Sequence, residues 1–388
     1  MFPYLAKILK VYWGPFRLLG SNLVLLAMGA TMAMLLCWWL LPRLWDYLPH
    51  DQGKAFVKDS EKAKGKPTGS GVIMVPVFLF SALLVMPFNW RALGILGCLF
   101  LCMMTGYLDD RSAAPWGQLK KGLLDLLVAF LASLLLCRLQ PMPIWLPFCK
   151  GSGDGGSFLV PVWAYVPVAT ALLWFSINAV NCSDGVDGLA GSLALFALFS
   201  LGAFLYGVTG HVNMAKYFLL PHYVDGSRWA ILIFTAIGML AGYLWHNASP
   251  SAVLMGDAGS RFLGLLIGLA SLATGNPLIL LVAAPILIVN GGTGLVKLLL
   301  LRFLRACGFD VRQPLSNVPH PIHPENFATD EEVKQQLPII RAVHKIRFPL
   351  HDQCRKNWRW SDTQVLVRFM LLQATITPLL LLIFVKLR

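Results

Sequence analysis

Apolar segments long enough to cross a lipid bilayer recur along the whole sequence. The first of them, from Leu18 to Pro42, has 25 residues without a charged side chain. About 20 apolar residues span the hydrocarbon core of a membrane, so this segment is predicted to be a transmembrane helix. It is too long for the apolar region of a signal peptide and no convincing cleavage site follows it, so we expect it to be retained.

Nine further segments of the same kind predict an all-α polytopic membrane protein with about ten transmembrane helices. Their cores lie near 72–88, 92–108, 122–140, 160–180, 188–208, 229–246, 260–274, 278–301 and 368–386. Only 13% of the residues are charged and 57% are hydrophobic, which excludes both a water-soluble globular domain and a disordered chain. We therefore interpret residues 1–388 as a single integral membrane domain. The eight cysteines have no CxxC spacing, so they predict neither a disulfide framework nor a zinc site.

The distribution of positive charge predicts how the chain is oriented. Ten spans place both termini on the same side, and the loops on the other side are 43–71, 109–121, 178–190, 246–261 and 302–367. Together with the adjoining Arg368, these loops contain 21 Lys and Arg residues, whereas the opposite side contains 10. Because positive residues mark the cytoplasmic side, we expect these loops in the cytoplasm and both termini outside.

Carboxylates cluster at three places where predicted spans end on the cytoplasmic side. These are Asp109 with Asp110, Asp184 with Asp187, and Asp257. A carboxylate costs about 2.5–3.5 kcal/mol at the membrane centre and less toward the surface, so it usually has a partner or a function. Converging carboxylates repel one another unless a cation intervenes, and Mg²⁺ commonly joins a carboxylate or two to substrate phosphates. The sequence therefore suggests a Mg²⁺–phosphate site facing the cytoplasm, although helix-end carboxylates held by loop lysines are an equal alternative on these residues alone.

Local sequence around the carboxylates refines this hypothesis. Gly256 precedes Asp257 and permits close approach of the backbone to a ligand, while Ser260 is predicted to cap the following helix. The backbone N–H groups at such a helix start favour phosphate. Lys121 has Asp125 one turn later as a predicted ion-pair partner. The sequence has no GxxxxGK[ST] segment, so a nucleotide would not bind in a P-loop.

Five motifs, in this order, resemble those of the polyprenyl-phosphate N-acetylhexosamine-1-phosphate transferases. They are GKPTGSG at 65–71, GYLDD at 106–110, NAVNCSDGVDGLAG at 178–191, NASPSAVLMGDAGS at 247–260, and PLHDQCRKNW at 349–358 followed by VLVRF at 365–369. The resemblance covers nearly the whole chain. The last motif is similar to the stretch that distinguishes the branch of the family acting on phospho-MurNAc-pentapeptide.

The chain departs from the family pattern at five places. Arg111-Ser112-Ala113 stands where the family has a lysine after the double aspartate, and Ala63, between Lys62 and Lys64, stands where it has the first-loop lysine. Leu254 replaces an aromatic residue and Lys297 replaces a glutamine. Of three consecutive histidines only the first is kept, in His351-Asp352-Gln353.

The resemblance implies a Mg²⁺-dependent transferase in the bacterial cytoplasmic membrane. It would move phospho-MurNAc-pentapeptide from UDP-MurNAc-pentapeptide to undecaprenyl phosphate, giving lipid I and UMP. Membrane lipid is an expected partner, nucleic acid is not, and a homodimer would fit the family. Two alternatives stay open: a sister enzyme that transfers N-acetylglucosamine-1-phosphate to a polyprenyl phosphate, and an ion-coupled transporter with intramembrane carboxylates.

The resemblance also implies roles for individual residues. Asp257 is expected to bind Mg²⁺ together with Asp184. Asp109 or Asp110 would deprotonate the lipid phosphate or help to hold the metal, and His351 would contact the pyrophosphate or the sugar. The expected substrate-binding residues are Lys62, Lys64, Thr68, Lys121, Asn178, Asn181, Asp184, Asp187, Asn247, Gly256 and Ser260. Direct in-line displacement is the favoured hypothesis for the reaction.

Overall fold

A computed structural model of the protein describes residues 1–51, 64–87, 89–112, 116–314 and 327–387, and nearly all of its regular structure is helical. The α-helices are α1 (Phe2–Leu9), α2 (Asn22–Leu44), α3 (Gly71–Val85), α4 (Trp90–Asp110), α5 (Gln118–Cys137), α6 (Val162–Ser183), α7 (Leu189–Phe204), α8 (Val212–Tyr217), α9 (Gly226–Asn247), α10 (Gly256–Ala273), α11 (Ile279–Ala283), α12 (Pro285–Leu287), α13 (Thr293–Ala306), α14 (Asp330–Gln335), α15 (Pro338–Lys345), α16 (Leu350–Lys356) and α17 (Asp362–Lys386). Two short strands, β1 (Met142–Ile144) and β2 (Phe158–Val160), pair antiparallel in the connection between α5 and α6.

Seven helices among the described residues are long and apolar enough to cross a membrane. They are Asn22–Tyr47, Trp90–Asp110, Val162–Ser183, Leu189–Thr209, Gly226–Asn247, Pro285–Ala306 and Asp362–Lys386. Each coincides with a predicted span, and α3, α5 and α10 coincide with the other three. Of these three, α3 has 15 residues, and α5 and α10 carry charged side chains in their first turns. The prediction of an all-α polytopic membrane protein is confirmed, and the count of ten stays a prediction.

The predicted span 278–301 is not one continuous helix. Pro285 cannot donate the next backbone hydrogen bond, and the chain breaks between α11 and α12 at Ala284. The side chain of Gln373, on α17, repairs the break: it donates to the carbonyl of Ala283 at 2.8 Å and accepts from the amide of Ile286 at 3.0 Å. Unpaired backbone groups are costly in hydrocarbon, so this buried amide makes the interruption tolerable.

Glycines bring the helices around α10 unusually close together. A Cβ on Gly264 of α10 would lie 2.5 Å from the Cα of Ile177 on α6, and one on Gly106 of α4 would lie 2.4 Å from the carbonyl oxygen of Asp257. Small residues allow such close packing between membrane helices. The interior of α10 is almost completely buried, so this helix is the fixed element on which the site is assembled.

Two clusters of charged residues lie at opposite ends of the helical bundle. At one end, the C-terminal ends of α4 and α6 meet the N-terminal ends of α5 and α10 through Asp109, Asn181, Lys121 and Asp257. At the other end, Arg91 at the start of α4 pairs with Asp225, immediately before α9, at 3.3 Å. The predicted cytoplasmic carboxylates therefore include a set that converges at one end.

Candidate active site

Lys121 joins two of the predicted carboxylates. Its Nζ forms an ion pair with Oδ2 of Asp109 and lies 3.2 Å from Oδ2 of Asp257. The Asp109 side chain is 5% exposed, whereas the side chains of Lys121 and Asp257 are each 25% exposed. The three charges lie at the ends of different helices, so the bundle itself fixes their separation. The cluster combines oxygen donors with an accessible ammonium, which suits it to phosphate and metal chemistry.

Asn181, on the last turn of α6, orients the Asp257 carboxylate. Its Nδ2 donates to Oδ1 of Asp257 and to Oγ of Ser260, both at 3.0 Å. The Ser260 hydroxyl donates in turn to the carbonyl of Gly256 at 2.9 Å. The expectation that Ser260 caps this helix is wrong, because α10 begins four residues earlier and Ser260 is buried inside the helix.

Asp110 binds the start of α10 through both of its carboxylate oxygens. Its Oδ1 accepts from the amide of Asp257 and its Oδ2 from the amide of Ala258, each at 3.0 Å. A carboxylate is favoured there because the N-terminus of a helix carries partial positive charge. The expectation that these amides receive a phosphate is therefore wrong in this structure, since a protein carboxylate already occupies them. Asp110 therefore positions Asp257, and its role in the chemistry stays a prediction.

The glycines of two motifs allow their loops to pack against each other. Gly256 has a φ of +68°, and a Cβ there would lie 2.5 Å from Oδ2 of Asp110 and 2.6 Å from the backbone nitrogen of Gly69. The amide of Leu254 donates to the carbonyl of Pro67 at 2.8 Å. Motifs 65–71 and 247–260 thus form one joint surface around the start of α10.

The loop that precedes α3 contributes a residue that the sequence did not single out. Lys66 Nζ donates to Oγ of Ser251 at 2.9 Å and lies 3.7 Å from Oδ2 of Asp187. Lys62 lies outside the described residues, and Lys64 is exposed. The backbone amide of Thr68 donates to the carbonyl of Pro49 at 2.8 Å.

Asp187 and Asn247 tie two loops together. Oδ2 of Asp187 accepts from the amide of Ser251 at 3.1 Å. The Asn247 side chain accepts from the amide of Gly188 at 2.8 Å and donates to the carbonyl of Val253 at 2.7 Å. Asn247 is 5% exposed, so both its polar groups are used within the protein and it acts here as a loop clamp.

The two other predicted residues on this side differ in their surroundings. Asp184 is exposed just after the end of α6, where its backbone amide donates to the carbonyl of Asn181 at 3.2 Å. The side-chain amide of Asn178 donates to the carbonyl of Trp174 at 2.9 Å, and its Nδ2 lies 3.5 Å from Oδ2 of Asp125. Asn178 therefore faces the buried Asp125, while Asp184 is exposed where its helix ends.

His351 is buried at the start of α16 and is fixed by Asn290, which lies in the π-helical turn of the broken span. Oδ1 of Asn290 accepts from the backbone amide of His351 at 2.9 Å and lies 3.1 Å from Nδ1 of its ring. Nδ1 therefore carries the proton and Nε2 is an acceptor. A Cβ on Gly185 would lie 2.4 Å from Nε2, so the ring lies against the loop of the third motif. Lys297 supports this region by donating to the carbonyl of Ile346 at 3.1 Å.

The burial of His351 predicts a pH dependence of stability. Burial lowers the pKa of this histidine from 6.5 to about 4, while Asp352 and Asp362 raise it and Arg355 and Lys356 lower it. The unfolded chain takes up a proton near pH 6.5 and the folded chain only near pH 4. The contribution of His351 to the free energy of unfolding is therefore fully present above pH 6.5. About 3 kcal/mol of that free energy is lost as the pH falls toward 4.

Thermal unfolding measured between pH 7 and 4.5 tests this expectation. The midpoint of the wild type should fall more steeply with acidification than that of His351→Gln. The matched control His211→Gln removes an exposed histidine and should keep the wild-type slope. Equal slopes for the wild type and His351→Gln would contradict the prediction.

Asp125 and Arg261 are two buried charges that complete the cluster. The sequence predicts a different pairing, in which Asp125 binds Lys121. Asp125 does not form the expected ion pair with Lys121. Its Oδ1 lies 3.3 Å from Nη1 of Arg261, whose Nη2 lies 3.0 Å from Oδ2 of Asp257. The side chains of Arg261 and Asp125 are 2% and 1% exposed. Arg261 therefore bridges a carboxylate of the site to one inside the bundle.

The donor set at this end fits Mg²⁺. No group of three or more His, Cys, Asp or Glu side chains that could hold a metal occurs among the described residues. Mg²⁺ usually keeps several waters and needs only one or two protein carboxylates beside substrate phosphates. Asp109 and Asp257, which share one ammonium, supply two such carboxylates.

Comparison with known proteins gives this site a family context. The profile of glycosyl transferase family 4 matches residues 92–275, which include Asp109, Lys121 and Asp257. A phospho-N-acetylmuramoyl-pentapeptide-transferase of Treponema pallidum (strain Nichols) is 42% identical over 98% of this chain and 95% of that protein. Proteins with the same name are 33% identical in Nautilia profundicola, over 60% of this chain and 67% of that protein, and 26% identical in Sulfurimonas denitrificans, over 100% of both. The resemblance inferred from the five motifs is confirmed.

Proposed function

The chain belongs to the phospho-N-acetylmuramoyl-pentapeptide transferase family, and from this premise we propose how its charged cluster carries out the reaction. The protein is a multi-pass membrane transferase that catalyses the first membrane step of peptidoglycan synthesis, with UDP-MurNAc-pentapeptide as donor and a lipid carrier as acceptor. We propose that the carrier is undecaprenyl phosphate and the products are lipid I and UMP. We also propose that the enzyme lies in the bacterial cytoplasmic membrane with the cluster facing the cytoplasm.

The observation that carries the mechanism is the position of Lys121 between Asp109 and Asp257 at one end of the bundle. Phosphoryl transfer needs mainly positioning and neutralisation of phosphate charge. One substrate is a water-soluble nucleotide and the other a phosphate on a membrane lipid. A site at the ends of membrane helices is where these two phosphates can meet.

The proposed reaction is a single in-line displacement. An oxygen of the lipid phosphate bonds to the sugar-bearing phosphorus of the donor, the bond from that phosphorus to the oxygen of UMP breaks, and UMP leaves. A phosphate monoester has a second pKa of about 6, so the attacking oxygen is largely deprotonated at neutral pH. A protein base is then not required, which favours a metal-holding role for Asp109 over a base, with its Oδ1 accepting from the Trp116 amide at 2.8 Å and its Oδ2 binding Lys121 until Lys121 turns to the phosphates.

Asp257 and Asp109 would hold Mg²⁺, with the exposed Asp184 as a further proposed ligand. When bound, the metal would neutralise charge on the phosphate oxygens. Lys121 would turn its ammonium to the phosphates, because lysine has a flexible stem. Nε2 of His351, an acceptor beside the third motif, is proposed to contact the sugar or pyrophosphate of the donor.

The test uses purified protein in detergent with undecaprenyl phosphate and Mg²⁺. UDP-MurNAc-pentapeptide and UDP-N-acetylglucosamine are supplied separately, and UMP release is followed. UMP from the first donor alone is the expected result. UMP from the second donor alone would assign the chain to a sister activity, and no UMP from either would reopen the transporter alternative.

Chemical crosslinking of the same sample tests the predicted homodimer.

A further inference from the structure

We propose that Arg261 is a positioning residue for the transfer reaction, and that Asp125 serves to hold Arg261 in place. The inference rests on the proposed function, in which Asp257 belongs to the reacting site. Arg261 follows Asp257 by one helical turn on α10, so both side chains lie on the same face. Asp125 approaches from α5, and the three residues form a chain from the accessible end of the bundle into its interior.

Burial shows that this arrangement needs its partners. Arg261 is 2% exposed and Asp125 is 1% exposed. Either charge alone would be strongly unfavourable at this depth, whereas removing both together leaves no buried charge. Asp125 by itself would be enough to neutralise Arg261. The second contact, from Nη2 to Asp257 at 3.0 Å, is therefore more than charge compensation requires.

The two cations on Asp257 differ in exposure and in the stiffness of the charged group. Lys121 is 25% exposed and flexible, and the proposed mechanism requires it to turn toward substrate phosphates. Arg261 is enclosed, and its planar guanidinium holds two carboxylates in a fixed fork. When Lys121 leaves, Arg261 and the side-chain amide of Asn181, which lies 3.0 Å from Oδ1, still hold the Asp257 carboxylate in its orientation.

The experiment separates positioning from simple support of the fold. Arg261→Met leaves Asp125 buried without its cation and is expected to lower the thermal midpoint. Arg261→Met combined with Asp125→Asn removes both charges and keeps an acceptor for Asn178, so its midpoint should return toward that of the wild type. Its kcat should still be about 10–100-fold lower, with KM for the donor within about threefold.

Three further variants sharpen the comparison. Arg261→Lys keeps the charge and should lose less kcat than Arg261→Met. A double-mutant cycle of Arg261→Met with Asp257→Asn should give non-additive shifts of the thermal midpoint. This non-additivity measures the interaction between the two side chains and does not depend on an activity assay. Arg91→Met, at the opposite end, removes an arginine that is partly buried and paired with a carboxylate, and it should lower the midpoint without changing the kcat of the folded protein.

The outcomes are distinct. A charge-free double variant that recovers both the wild-type midpoint and the wild-type kcat would overturn the proposal, as would additive shifts in the Arg261–Asp257 cycle. A wild type that releases no UMP from UDP-MurNAc-pentapeptide would overturn the proposed function and this proposal with it. That result is recognised before any variant is compared.

Discussion

Asp257→Asn is expected to lower the rate of UMP release by about 10³-fold while the protein still folds. The substitution keeps the shape of the side chain and removes its charge. Lys121 and Arg261 would each lose an ionic partner within 3.2 Å, and the proposed metal would lose a ligand. The measurement is the kcat of detergent-purified variant and wild type at saturating donor, lipid phosphate and Mg²⁺.

A carboxylate at the opposite end of the bundle provides the matched control. Asp225 is also partly buried and pairs with Arg91, Arg138 and Arg228 at 2.8–3.3 Å. Asp225→Asn should therefore perturb stability in a similar way but leave kcat within about threefold of the wild type. A folded Asp257→Asn protein with the wild-type rate would remove Asp257 from the reaction, and the proposed mechanism with it.

The membrane architecture could be predicted because it depends on local sequence. Each predicted span coincides with an apolar helix, since about 20 apolar residues in a bilayer have few alternatives to a helix. The main exception is the broken span near Pro285. The proline signals an interruption, but the repair by Gln373 depends on how α17 packs, which local sequence does not specify.

The convergence of the carboxylate motifs was also accessible from sequence, whereas the choice of partners was not. Lys121, Asp109 and Asp257 lie at the ends of helices that terminate on the same side of the predicted membrane, and they meet at one end of the bundle. Which side chain accepts from which backbone amide is decided by tertiary packing, which local sequence does not specify. The Asp110 carboxylate accepts from the first amides of α10. Helix polarity correctly predicts an anion at this position, but the anion is a protein carboxylate and not the expected phosphate.

The position of Arg261 in the sequence already indicates its pairing with Asp257. It lies four residues after Asp257 in a segment that is otherwise apolar, a spacing that places the two charges on one helix face. Its second partner, Asp125, lies 136 positions away along the chain. Spacing along the helix predicts the nearer cation, Lys121, as the partner of Asp125, but tertiary packing pairs Lys121 with Asp109 and Asp257 instead.

Gly256→Ala is expected to disrupt the site from the backbone. The residue has a φ of +68°, where a Cβ costs roughly 1–2 kcal/mol. The added Cβ would also meet Oδ2 of Asp110 at 2.5 Å and the Gly69 nitrogen at 2.6 Å. Asp110 would have to release two amides of α10, and each unpaired amide costs about 1–3 kcal/mol. The resulting shift of Asp257 should lower kcat by about 10²-fold.

Gly65→Ala isolates the collision from the backbone strain. Gly65 has a φ of +82°, and a Cβ there would have no neighbour within 4 Å. Its substitution carries the same conformational penalty without displacing Asp110, so a small fall in thermal midpoint and a kcat within about threefold of the wild type are expected. Thermal unfolding and kcat of the two variants are compared in parallel. Equal losses for both would mean that left-handed backbone strain alone accounts for the effect, and that the contact of Asp110 with the start of α10 does not position Asp257.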